Sequence, residues 1–202
     1  IGVRLVGSEM CIRDSLYAVP WPAQGLYSKK EINSIADLKG LKFRAYNSAT
    51  IRIAELTGMA PTKIEAAEIS QAFSTGAVES MITSPTTGKN SKIWENGVGY
   101  FYDIAAWFPK NMVIVNKDAW NKLDSATQKL IMSEAAIAEK KGWDLSKKGN
   151  VADKKALADA GMKVGKVNSA LEKHFQKVGA TMADEWKAKA GSRGASVLAA
   201  YK

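Results

Sequence analysis

INSIADLKGLKFRAY, residues 32–46, is the stretch whose reading decides the architecture. Ser34-Ile-Ala-Asp37 has the form of a capping box, with the Ser34 hydroxyl placed to accept from the Asp37 amide and Asp37 at the positive end of a helix. That helix must be short, because Gly40 stops it. Leu41–Tyr46 then alternates apolar and polar residues, as a strand does. A short helix, a glycine stop and a strand in quick succession form half of a βαβ unit.

The rhythm continues downstream. Asn47-Ser48 opens a helix that runs to about Thr57 and ends at Gly58. Pro61–Ala67 holds a short strand, Glu68–Thr75 a helix ended by Gly76, and Ala77–Thr83 a buried strand. Tyr100–Ala105 and Met112–Asn116 are further strand candidates, and such apolar runs suit strands covered on both faces. Upstream, Pro20, Pro22 and Gly25 break the segment Leu16–Lys30 into extended chain with a turn. Alternating strands and helices predict an α/β fold. Beyond Lys117 the pattern becomes helical. Ser125-Ala-Thr-Gln128 reads as a second capping box, and Ile131, Ala135, Ala138, Gly142 and Leu145 form one stripe behind it. A second helix is expected over Val151–Ala160, a returning strand over Met162–Val167, and a last helix over Ser169–Lys189 carrying Leu171, Phe175, Val178 and Met182 on one face. The division that follows is 16–122 for an α/β part and 123–202 for a helical part. Residues 1–15 match no periodicity and read as a non-native segment.

The 202 residues suffice for one large domain or two small ones, and the hydrophobic and charged fractions, 46% and 24%, are ordinary for a globular chain. No apolar run of about eighteen residues is present, so no membrane-spanning segment is expected. The net charge of +9 does not point to nucleic acid. The lysines are spread along helical segments among acids, as in Glu139-Lys140-Lys141 and Asp153-Lys154-Lys155, which reads as solvated helix surface rather than as one basic face. A positive field would still draw in an anion. Cys11 is the single cysteine, so no internal disulfide can form. The single histidine, His174, has no partner that would make a catalytic dyad, no Cys/His spacing suits zinc, and no phosphate-binding glycine loop occurs. No catalytic residue, metal or cofactor is assigned.

Binding chemistry remains. Arg44 lies inside a strand, where a guanidinium requires a buried anion, a structural salt bridge, an outlet to water at a sheet edge, or a cleft. Its planar fork matches a carboxylate bidentately. Trp21, between Pro20 and Pro22, and Trp107, before Phe108-Pro109, are candidates for a pocket wall or for core packing, and Asn111 could offer an amide. Trp94, Trp120 and Trp143 read as packing on helices.

Asp37-Leu-Lys-Gly40, Lys42 and Arg44, followed in order by Glu68, Ala72, Thr75 and Gly76, resemble the solute receptors of tripartite ATP-independent periplasmic (TRAP) transporters, the family often named for C4-dicarboxylate binding. About half the chain carries the likeness closely. The resemblance implies a periplasmic binding protein fold of type II character, with two lobes, a mixed sheet and long C-terminal helices that pack on both lobes. It also implies that the N-terminal lobe is incomplete here, that apolar surface is left uncovered, and that the chain alone is poorly soluble. It further implies a periplasmic location, a small organic acid as ligand, the transporter's membrane permease subunits as partners, and no enzymatic step. Arg44 is then the residue that grips the ligand carboxylate. Thr83 and Ser84 stand where the family often has asparagine. Gln24 stands where members for some acidic ligands carry a second arginine, which favours a monocarboxylate or a hydroxylated acid. A receptor of another transporter class, or an enzyme acting on a carboxylate, is the alternative.

Overall fold

The structure is a computed structural model and describes residues 13–200. Cys11 and most of the segment read as non-native therefore lie outside the described residues.

Six strands form the central mixed sheet: β2 (Gly25–Ser28), β3 (Lys42–Ala45), β4 (Ala60–Lys63), β5 (Ser80–Thr83), β6 (Tyr100–Tyr102) and β8 (Lys163–Gly165), in the order β4-β3-β5-β2-β6-β8. Strand β3 runs parallel to both neighbours, while β2 runs antiparallel to β5 and β6. The remaining two strands, β1 (Arg13–Pro20) and β7 (Lys110–Asn116), leave the sheet as an antiparallel ribbon. Helices α1 (Ser48–Thr57), α2 (Ile69–Ser74) and α3 (Pro85–Asn90) link the strands. A short α4 (Lys117–Asn121) precedes α5 (Ser125–Asp159) and α6 (Ser169–Ala200).

Local chemistry explains these boundaries. Asn47 caps α1 by accepting from the Thr50 amide at 2.8 Å, and Gly58 closes it in the left-handed region. At Ser34 the expected polarity is reversed: the hydroxyl donates to Asp37 Oδ2 at 3.0 Å, and the same oxygen accepts from the amides of Asn33 and Ser34. The Asp37 amide goes instead to the Ser34 carbonyl, so the turn is a 3-10 helix over Ile35–Leu38 that buries Leu38. Those amide bonds hold the Asp37 carboxyl below its ordinary range.

Four expectations change. The strand at Tyr100 ends at Tyr102, because Ala105 takes a positive φ of 45° and turns the chain away. Strand β7, expected to be covered on both faces, is largely exposed, because among the described residues it pairs only with β1. Asp124, rather than Ser125, caps α5, accepting from Ala126 and Thr127 amides at 2.9 Å. The two helices foreseen between Ser125 and Ala160 are one of 35 residues, since nothing at Gly149 or Asn150 breaks the ladder. In α6 the break falls at Gly191 (φ 60°, ψ −144°).

Two apolar clusters sandwich the sheet. Phe43, Leu26, Ile82, Leu38 and Ile53 share one with Leu171 and Val178 of α6, which is the face foreseen for that helix. Tyr27, Phe73, Met81 and Phe101 share the other with Leu157 of α5. Outside them, Met112, Val113 and Ile114 of the ribbon and Leu130, Met132 and Ile137 of α5 are exposed. Among the described residues no helix is long and apolar enough to cross a membrane.

Candidate functional site

Strand β3 is an interior strand, and Arg44 on it is 4% exposed. Its Nε donates to the Ile64 carbonyl at 2.9 Å, and its Cζ sits 4.7 Å from the centre of the Tyr46 ring. Among the described residues no carboxylate pairs with it, and its terminal nitrogens donate no hydrogen bond. Burial lowers its pKa, with Tyr46 and Glu65 acting against that shift. Glu65 itself is exposed and pairs with Lys63 at 3.4 Å. A buried guanidinium without an acid is costly to leave unsatisfied, so its donors represent unused binding capacity.

Arg44 opens into a cavity of about 240 Å³ lined by Trp21, Gln24, Arg44, Tyr46, Thr83 and Ser84, together with Ala66, Thr87, Pro109 and Asn111. Strand β3 brings Arg44 and leads into Tyr46, Ala66 follows β4, and the chain entering β7 brings Pro109 and Asn111. The chain from β1 to β2 brings Trp21 and Gln24; there the Gln24 amide donates to Trp107 O at 3.0 Å and its carbonyl accepts from Ala106 at 2.9 Å. The Gln24 side-chain nitrogen donates to Pro22 O at 2.9 Å, and its Oε1 takes no hydrogen bond from the described residues. The end of β5 brings Thr83 and Ser84. Ser84 caps α3 by accepting from the Thr87 amide at 3.0 Å, with Pro85 at the first helical position. Tyr27 supports this wall from beneath, its hydroxyl donating to Ser84 O at 3.1 Å. Gly88 permits this approach, because a Cβ there would lie 2.2 Å from the Tyr27 oxygen. Burial, reinforced by the charge of Asp153, keeps that phenol protonated well beyond its usual range.

Six of the seven residues singled out from sequence thus line one cavity: Arg44, Thr83, Ser84, Gln24, Trp21 and Asn111. Trp107 does not line it. It belongs to a larger neighbouring cavity of about 950 Å³ between α1, the chain after β6 and α6, whose lining is mainly apolar and which shares Tyr46 and Pro109 with the smaller one. The sequence reading does not single out the other four lining residues, Tyr46, Ala66, Thr87 and Pro109. Tyr46 was legible, since two residues beyond Arg44 on a strand puts it on the same face. Thr87 was legible too: Ser-Pro before a polar pair marks a capped helix start, and residue four of that start faces its cap. His174 is half-buried, with a buried Nε2 that takes no hydrogen bond from the described residues. Among the described residues no cluster of His, Cys, Asp or Glu could hold a metal ion.

The arrangement offers one planar cation, several hydroxyls and amides, and an aromatic wall, in a space sized for a small acid. A family model described as bacterial extracellular solute-binding protein, family 7, matches residues 23–189. A Bordetella pertussis extracytoplasmic solute receptor binding pyroglutamic acid is 41% identical, with a TM-score of 0.90 over 94% of this chain and 62% of that one. A marine metagenome TRAP solute binding protein specific for pyroglutamate is 38% identical, with a TM-score of 0.89 and the same coverage, 94% and 62%. The sialic acid-binding periplasmic protein of Vibrio cholerae is 33% identical over 111 residues, 54% of this chain and 33% of that protein. The chain therefore spans a third of that curated relative and 62% of each solved chain.

Proposed function

The chain belongs to the bacterial extracellular solute-binding proteins of family 7, and from that premise we propose that it is the larger part of a receptor that captures a small monocarboxylate outside the inner membrane and passes it unchanged to the permease of a TRAP-type transporter. The ligand carboxylate pairs with the Arg44 fork above the Tyr46 ring. Gln24, Thr83, Ser84 and Asn111 hydrogen-bond its remaining polar groups, and Trp21 covers its ring or chain, with Trp107 closing the approach from the neighbouring cavity. Closure of the receptor over the site excludes water and strengthens the ion pair. Residues 16–122 act as the ligand-binding lobe with its crossing strands, and 123–202 as the helical part that packs on both lobes.

One observation carries the reading: a buried guanidinium that pairs with no acid among the described residues faces a cavity of about 240 Å³. A single cation in so small a space favours one carboxylate over the two of a C4-dicarboxylate. Relatives at 38–41% identity that bind pyroglutamate, a small cyclic monocarboxylate, support the same class. Calorimetry with pyroglutamate tests it. Arg44→Met is expected to weaken binding by at least about 2 kcal/mol, roughly thirtyfold, while the thermal midpoint moves by no more than about 4 °C, because no structural ion pair is lost. Arg44→Lys keeps the charge without the fork and recovers only part of the affinity. Equal affinity in the parent and Arg44→Met ends the assignment.

A further inference from the structure

Besides β3 and the chain after β4, three separate segments wall the cavity, and one helix that contributes no lining residue grips all three of them. Along its first half α5 holds β1: Glu139 accepts from the Ala18 amide at 3.0 Å, and the Trp143 indole donates to Ala18 O at 3.0 Å. Gly142 lets the helix lie close there, since a Cβ would sit 2.4 Å from Val19 Cγ2. Two residues after Ala18 the chain reaches Pro20, then Trp21 and Gln24. Further along, the buried carboxylate of Asp153 accepts from Thr86 Oγ1 at 2.6 Å and from Lys89 Nζ at 2.7 Å, both on α3. The next residue, Lys154, forms an ion pair with Asp103, which opens the segment leading to Trp107 and Pro109. Successive helical residues project about 100° apart. Asp153 and Lys154 therefore hold two different walls, the Ser84–Thr87 wall and the Ala106–Pro109 wall, at a spacing set by one rigid backbone.

Resting on the receptor reading above, we propose that Asp153 and Lys154 are positioning residues for the ligand site: they set the gap between the two walls, so that affinity depends on charged groups that touch no ligand. The geometry opposes a purely cohesive role. Asp153 is 5% exposed and satisfied by two α3 donors, so neutralising it slackens α3 specifically. Lys154 binds one oxygen of Asp103, whose other oxygen, Oδ1, is buried and takes no hydrogen bond from the described residues. Losing the lysine leaves a carboxylate that must move toward water, and the wall moves with it.

The test uses the 202-residue chain, pyroglutamate as probe, and hydrogen–deuterium exchange without any ligand. Asp153→Asn is expected to speed exchange over residues 84–90 and Lys154→Met over 103–109, with β3 and β4 unchanged. Each is expected to weaken pyroglutamate binding about threefold to thirtyfold, the range for residues that act through others. Lys154→Arg restores the parent values. Thr86→Val, which removes a single hydroxyl, gives the smaller form of the Asp153 effect should Asp153→Asn fold poorly. Parent-like local exchange and affinity in both variants overturn the proposal, as does exchange that rises uniformly across the sheet. If the parent binds pyroglutamate no better than Arg44→Met, the receptor reading falls, while the ligand-free exchange still decides whether these two residues hold the walls.

Discussion

The sheet and the ribbon use similar strands for opposite ends. Phe43, Leu26 and Ile82 in the six-stranded sheet are fully buried between α6 and neighbouring loops, whereas Met112, Val113 and Ile114 in β7 are 43%, 40% and 47% exposed. The apolar content of the two regions is alike; what differs is the number of partners. A central strand has a neighbour on each side and a helix or loop above and below, whereas a ribbon of two strands has one neighbour and, here, α5 along part of one face. The cavity sits where these regions meet: Arg44, Thr83 and Ser84 come from the sheet and the end of β5, and Trp21, Pro109 and Asn111 from the ends of the ribbon. The site thus draws on a region buried on both faces and on one that α5 holds along part of one face.

Mutations in the two regions should separate them, beginning with the core. Phe43→Ala is expected to cost about 3–5 kcal/mol in urea unfolding, the range for removing a fully buried phenylalanine; a loss under 1 kcal/mol would mean that the sheet does not carry the core. Gly88→Ala should cost about 1–3 kcal/mol, because the new methyl must displace the Tyr27 ring, and with it the Ser84 carbonyl. Near-UV circular dichroism and the same unfolding assay read both parts.

Acid acts more gently, at two helix starts outside both regions. The Asp37 and Asp124 carboxyls are both held below the ordinary 3.8, Asp37 first by the Asn33 amide and Asp124 first by the Thr127 hydroxyl. A lowered folded pKa contributes stability that is complete above the unfolded value and is lost as pH falls through the folded one. The advantage of the parent over Asp37→Asn or Asp124→Asn should therefore shrink below about pH 4 in thermal melts, and hold constant between pH 5 and 7. An advantage that grew on acidification would reverse the assigned sign. The smallest effect is expected in the ribbon: Val113→Ser should stay within about 0.5 kcal/mol. A loss comparable to that of Phe43→Ala would show that β7 is covered in solution and would erase the contrast.

Much of the fold and most residues that line the candidate cavity are legible in the order of residues. Asn47 and Gly58 announce both ends of α1, because capping is a matter of neighbours in sequence. Arg44 stands out because a charge inside an apolar strand must be accounted for locally. The reading fails where a distant partner decides. Glu139, Asp153 and Lys154 read as ordinary solvated helix surface, yet the fold brings Ala18, Thr86, Lys89 and Asp103 to them, across separations of up to 121 residues. Trp143 reads as packing; its ring is partly exposed, and its indole nitrogen instead ties α5 to β1. Strand β7 reads as buried because its composition matches that of a covered strand, and composition does not count neighbours.

By itself, then, the amino-acid order determined the α/β rhythm, both ends of α1 and the presence of a guanidinium inside a strand, since each depends on interactions within a few residues. The tertiary structure alone decided which strands share the sheet, that Trp107 lines the neighbouring cavity, and that one long helix holds three of the segments around the smaller one. Those outcomes depend on contacts between residues far apart in the chain, whose geometry exists only once the backbone has closed on itself.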